Sequence, residues 1–110
     1  MNTRTEKIAE LNDEFRKSTN PGLFFYLTRG IQVLPPNDRA AIIGLVQTFN
    51  DFTEDNDPYG EHDFGAFYHN EERIFWKIDY YDKDMRQGSE DPADPDVTQR
   101  VMTIMLAHEY

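Results

Sequence analysis

Apolar positions along the chain fall into blocks separated by polar, turn-forming stretches. Thr3-Arg4-Thr5-Glu6 has the hydroxyl and carboxylate spacing of a capping box, and Ile8, Leu11 and Phe15 follow at intervals of three and four. That spacing predicts a helix with one apolar stripe, stopped by Asn20-Pro21-Gly22. From Leu23 to Leu34, Leu23, Phe25 and Leu27 alternate with Phe24, Tyr26 and Thr28, which predicts a strand. Arg29-Gly30 is expected to turn it into a short hairpin with Ile31 and Val33 on the return. After Pro35-Pro36, Asn37 or Asp38 is placed to cap a second helix, whose Ile42, Leu45, Val46 and Phe49 have the spacing of a buried face.

Asp51 to Asp63 reads as a loop, since Asp, Asn, Pro and Gly compete with regular structure through local hydrogen bonds and special dihedrals. The period then changes to two. Phe64, Ala66 and Tyr68 alternate with Gly65 and Phe67, a turn falls at His69-Asn70-Glu71-Glu72, and Ile74, Trp76, Ile78 and Tyr80 alternate with Phe75, Lys77, Asp79 and Tyr81. This is the clearest hairpin in the chain. A second acidic loop, Asp82 to Pro95, leads to Asp94-Pro95, a good cap and first residue for a final helix burying Val97, Val101, Ile104, Met105 and His108. The sum is a single α+β domain over residues 1–110: a small antiparallel sheet of three or four strands with about three helices mainly on one face.

Composition agrees with a folded domain. A chain of 110 residues with 38% apolar and 14% aromatic residues supports one core, and is too rich in core formers for a disordered acidic tail. The absence of cysteine excludes disulfides, thiolate metal sites and cysteine nucleophiles. With no long apolar run and no apolar leader at the N-terminus, the expected location is the cytoplasm.

Charge adds the strongest functional signal. The formal net charge is −10, but residues 51–96 hold 15 acidic and 4 basic side chains while residues 1–50 hold 5 acidic and 6 basic. The excess is therefore local, and no Lys or Arg lies between Asp51 and Glu72. Such a surface disfavours direct binding to nucleic acid or an anionic membrane, which need a positive footprint, and favours a basic protein surface. Duplex DNA carries roughly one negative charge per 1.7 Å of axis. Carboxylates spread over two loops and a hairpin offer a comparable array to a groove built for nucleic acid. The bland alternative is that acidic loops serve only solubility.

Chemistry, if present, centres on Glu61-His62-Asp63, with Asp57 and Asp79 near. Their oxygens and imidazole suit a divalent metal or acid–base work. A calcium loop begun at Asp55 fails, because Tyr59 and Ala66 occupy its fifth and twelfth positions. The histidines His62, His69 and His108 fall in different elements, and neither Ser18 nor Ser89 sits in a nucleophile elbow. A phosphate-cradling loop is missing too. The aromatic residues of the hairpin, lacking basic neighbours, are expected to pack a core and not to stack bases.

The stretches FNDFTEDNDPYGEHDFG (Phe49 to Gly65), WKIDYYD (Trp76 to Asp82) and DP-x-DP-x-x-T-x-RV-x-TIMLA-x-EY (Asp91 to Tyr110) resemble the bacterial family DUF3768. The resemblance implies a bacterial or mobile-element origin and a shared fold, and supplies no mechanism. The leading expectation is an acidic interaction protein that binds a basic, nucleic-acid-binding protein, as an anti-restriction or anti-CRISPR inhibitor acting by DNA charge mimicry. Its contact set is Asp51, Glu54, Asp55, Asp57, Glu61, His62, Asp63, Asp79 and Asp82, with no catalytic residue, metal or cofactor assigned. The alternative is a metal-dependent or acid–base hydrolase on Glu61, His62 and Asp63.

Overall fold

A computed structural model describes residues 3–18 and 24–110. The expected stop at Asn20-Pro21-Gly22 and the strand start at Leu23 lie outside the described residues. Three helices, α1 (Thr3–Arg16), α2 (Arg29–Gln32) and α3 (Pro36–Gln47), accompany four strands, β1 (Phe25–Leu27), β2 (Phe64–His69), β3 (Glu72–Tyr81) and β4 (Gln99–Leu106). The fold is α+β, with sheet order β1-β4-β3-β2.

The β2–β3 hairpin forms as its period predicts. Gly65 pairs with Trp76 and Phe67 with Ile74 toward the helices, whereas Phe64, Ala66 and Tyr68 pair with Lys77, Phe75 and Arg73 on the other face. Asn70 and Glu71 both take positive φ (49° and 68°), as a tight two-residue hairpin requires. Ile31 of α2, Ile42 and Val46 of α3, and Phe49 meet Ile74, Trp76, Ile78, Met102, Ile104 and Leu106 in one core. Among the described residues no α-helix packs on the opposite, open sheet face, where Phe64, Phe75 and Tyr110 form an aromatic cluster.

Three expectations need correction. The expected final helix is strand β4, which lies between β1 and β3 and buries side chains on both faces. A centrally placed strand reads as a continuous apolar run, and Val97, Val101, Ile104 and Met105 then fit a helical template by coincidence of spacing. Asp94 does not cap a helix: Asp91 and Asp94 each accept the backbone N–H two residues on, from Ala93 (3.1 Å) and Asp96 (2.9 Å). Second, Leu23–Leu34 is no hairpin. β1 runs parallel to β4, making the sheet mixed, and α2 follows it at once. A Cβ at Gly30 would lie 2.5 Å from Leu106 Cδ1, so a larger residue there has to push the Leu106 and Glu109 side chains aside. The carboxylate of Glu109 accepts from Thr28 Oγ1 (2.6 Å) and from the N–H groups of Gly30 and Leu106 (both 2.9 Å), pinning the C-terminal turn over this site.

Third, α1 does not bury its apolar stripe alone. Ile8, Asn12 and Arg16, at i, i+4 and i+8, face inward and are at most 1% exposed, while Leu11 and Phe15 are half-buried. In α3, Pro35 stands at the N-cap and Pro36 begins the helix, so neither Asn37 nor Asp38 caps it, and Leu45 faces solvent although Ile42 and Val46 are buried.

Candidate functional site

Topology brings the two acidic loops together. β2 begins opposite Lys77, and just before it the carbonyl of Asp63 accepts from Ile78 N–H (2.9 Å). β3 ends at Tyr81, which pairs with Gln99 at the start of β4. Loop 51–63 therefore enters, and loop 82–98 leaves and returns, at the same end of the sheet. The second loop folds back so that Ser89 N–H bonds Tyr80 carbonyl (3.1 Å) and Gly88 bridges Tyr81.

Helix α1 crosses this end and is tied to both loops by its buried polar residues. Asn12 Nδ2 donates to Glu61 carbonyl (2.9 Å) and Tyr80 hydroxyl (2.8 Å), and its Oδ1 accepts from Arg100 Nε (2.6 Å). Tyr80 hydroxyl in turn donates to Glu61 Oε1 (3.0 Å), and Arg100 Nη2 reaches Pro92 carbonyl (2.5 Å). One asparagine thus links the helix, both loops, β3 and β4. Burial, reinforced by the charges of Asp63 and Glu61, pushes the Tyr80 phenol far up, so the hydroxyl stays a donor at neutral pH. Burial also lowers Arg100 from its usual value, leaving its charge in place.

His62 sits at the other side of α1. Gly60 (φ 70°) and His62 (φ 57°) both take left-handed backbone, which aims the imidazole back at the helix. Its Nδ1 lies 3.1 Å from both oxygens of Asp13, and its ring stacks on Phe52 at 3.9 Å. The carboxylate of Asp57, itself buried, accepts the His62 backbone N–H at 3.2 and 3.3 Å. Asp13 also receives Arg16 Nη2 (2.8 Å), so His62, Asp13 and Arg16 form a continuous polar seam. A groove of about 530 Å³ opens beside it, lined among others by Glu6, Glu10, Asp13, Glu14, Lys17 and His62.

The expected contact residues therefore divide by position. Asp51, Glu54 and Asp55 are exposed. Asp57 turns inward, Glu61 and Asp63 are half-buried, and Asp82 accepts Arg86 N–H (2.9 Å) within its own turn. Asp79 pairs with Lys77 Nζ (2.7 Å) on the open sheet face, and the bond raises the Lys77 pKa. Among the described residues, Asp79 with Lys77 and Asp91 with Arg4 are the acids of residues 51–96 in an ion pair with Lys or Arg. No group of three or more His, Asp and Glu side chains among the described residues is arranged to hold a metal ion. Sequence reasoning missed Glu6, Glu10, Asp13 and Glu14, although their spacing of three and four marks one helix face, mainly acidic and shared with Lys17.

Asp63 bears the electrostatic cost of this gathering. Burial first, then the charges of Glu61, Asp57 and Asp79, raise its carboxyl above the ordinary 3.8, partly opposed by a hydrogen bond to its own backbone. A raised carboxyl binds its proton more tightly in the native state, so its contribution is greatest below pH about 4 and is lost as pH rises through the shifted value. Asp63→Asn is expected to raise the urea midpoint at pH 7. The gain should shrink as the pH falls toward 4, which urea melts across that range will show.

A family model described as a protein of unknown function (DUF3768) matches residues 27–109. No curated protein and no solved structure matches the chain.

Proposed function

The chain belongs to the DUF3768 family, and because that family's description names no activity, we propose from the site itself that the protein binds a basic protein surface through the acidic end of its sheet. One observation supports this reading above the rest. Two acidic loops and the acidic face of α1 converge at a single end, and their exposed carboxylates Asp51, Glu54 and Asp55 have no Lys or Arg partner among the described residues. Uncompensated like charges repel and destabilise a fold. A basic partner relieves that repulsion.

The partner class is a nucleic-acid-binding protein of the cytoplasm, such as a restriction or CRISPR complex. Its groove is shaped for dense phosphate charge, and the acidic end substitutes for it. No helix among the described residues is long and apolar enough to cross a membrane.

The test is competitive capture. Immobilised protein incubated with bacterial extract should retain a DNA- or RNA-binding protein, and added duplex DNA should release it. Retained proteins that DNA does not displace would sink the reading. A second reading, a hydrolase on Glu61, His62 and Asp63, draws on the raised Asp63 carboxyl beside the Tyr80-held Glu61. Its metal-dependent form requires that Mg²⁺, Mn²⁺, Ca²⁺ or Zn²⁺ raise the melting temperature, since a specific ion stabilises the state that binds it; its acid–base form needs no ion.

A further inference from the structure

Strand β2 is an edge strand. The bond from Ile78 N–H to Asp63 carbonyl fixes the phase of its pairing with β3. In antiparallel strands the residues exchanging both bonds alternate with residues whose backbone groups point away. Gly65, Phe67 and His69 therefore bond to β3, and the N–H and C=O groups of Phe64, Ala66 and Tyr68 point outward. Among the described residues no hydrogen bond outside the sheet ladder reaches them.

Proteins ordinarily block such an edge with Lys, Pro, inward charges or a bulge. β2 reads Phe-Gly-Ala-Phe-Tyr-His, without Asp, Glu, Lys, Arg or Pro, and its register with β3 is unbroken. In a chain that is 29% charged, this is an edge six residues long without a carboxylate, lysine or arginine. The opposite edge, β1, has only three residues.

We propose that β2 pairs antiparallel with β2 of a second copy about a twofold axis at Ala66, joining the two sheets into one. The register follows from the outward groups: Phe64 faces Tyr68 of the second copy, Ala66 faces Ala66, and Tyr68 faces Phe64. Each pair exchanges both backbone bonds. Side chains fit that register on the open face. On the open face, two aromatic pairs flank the small alanines at the axis, continuing the Phe64–Phe75 cluster and the Tyr68 ring that Arg73 covers at 5.4 Å. On the helix face, Phe67 of one copy faces Gly65 of the other, where that copy's own Trp76 indole already fills the space a side chain would take.

Asp63, one step before β2, faces His69 of the second copy, whose Nε2 already lies 3.0 Å from Asp38 Oδ1 of its own chain. The antiparallel arrangement sends the two acidic ends in opposite directions, away from each other. Net repulsion between two chains of charge −10 remains, so added salt strengthens this association by screening it. Binding of a basic partner at the acidic end responds to salt in the opposite sense, which separates the two interactions experimentally.

The chain has no cysteine, so a single introduced thiol reports one contact. Backbone-bonded antiparallel residues lie about 5.5 Å apart between Cα atoms, within disulfide reach. Under mild oxidation Ala66→Cys should cross-link to twice the 13.0 kDa chain mass at least tenfold faster than Tyr59→Cys, an 81% exposed control on the acidic loop. Sedimentation of the unmodified protein should show a dimer that tightens with salt. Ala66→Lys, whose side chain enters the open face without touching the core, should weaken it roughly tenfold or more by opposing like charges across the axis. A monomer at every salt concentration, with both thiols cross-linking equally slowly, overturns the proposal. So does a dimer that Ala66→Lys leaves intact, since it must form elsewhere.

Discussion

Arg16→Ala is expected to cost about 3–5 kcal/mol of folding stability, the range for breaking a buried charged pair by removing one partner. Arg16 is 1% exposed yet charged, and its guanidinium closes the end of a different helix. Nη1 donates to the carbonyls of Val46 (2.8 Å), Gln47 (3.3 Å) and Phe49 (2.9 Å) at the C-terminal end of α3, where Val46 also accepts the Phe49 N–H (3.3 Å). The cation also complements the negative end of the helix dipole. Its plane lies over Trp76 at 5.0 Å and Phe52 at 5.5 Å, and Nη2 holds Asp13, which holds His62. Alanine leaves the Phe49 carbonyl without this donor, Val46 carbonyl with only the Phe49 N–H at 3.3 Å, and a carboxylate without its cation. Urea unfolding should show a lower midpoint with an unchanged slope. Arg16→Met keeps most of the volume and should recover part of the loss, separating packing from charge. If Arg16→Ala melts within 1 kcal/mol of the parent, as surface changes do, the seam between α1, α3 and the His62 loop is not what holds the acidic end in place.

Why the sequence disclosed the β2–β3 hairpin and concealed β4 follows from where each strand sits. Half-buried β2 and β3 alternate, and Asn70-Glu71 marks their turn. β4 is covered on both faces, so Arg100 to Leu106 shows no alternation to read. The parallel pairing of β1 leaves no local trace either, since its partner is more than seventy residues away. At the candidate site the acidic stretch was legible as a count of charges, but the inward turn of Asp57 was not. Nor were Asn12 and Arg16: polar residues are buried only when partners satisfy them, and those partners come from loops and strands distant in the chain.

The largest effect on function is expected from reversing the exposed acids together. Asp51→Lys, Glu54→Lys and Asp55→Lys touch none of the buried network, since all three side chains face solvent. Their combined reversal changes the charge of the acidic end by six units, two for each acid replaced by lysine. Electrostatic steering raises association rates by about 10 to 10³-fold, so loss of this charge should slow association with the captured partner by roughly tenfold or more. Dissociation should change less, because rim charges act mainly on encounter. An unaltered melting curve would show that the change acts on the surface and not on the fold.

Association rate against ionic strength, for the parent protein and this triple variant with the captured partner, tests the central claim most directly. Between about 0.1 M and 1 M salt the screening length falls from roughly 10 to 3 Å. The parent's rate should fall steeply across that range, while the variant starts slow and changes little. Equal rates and equal salt slopes for the two proteins would contradict a role for the acidic end in binding.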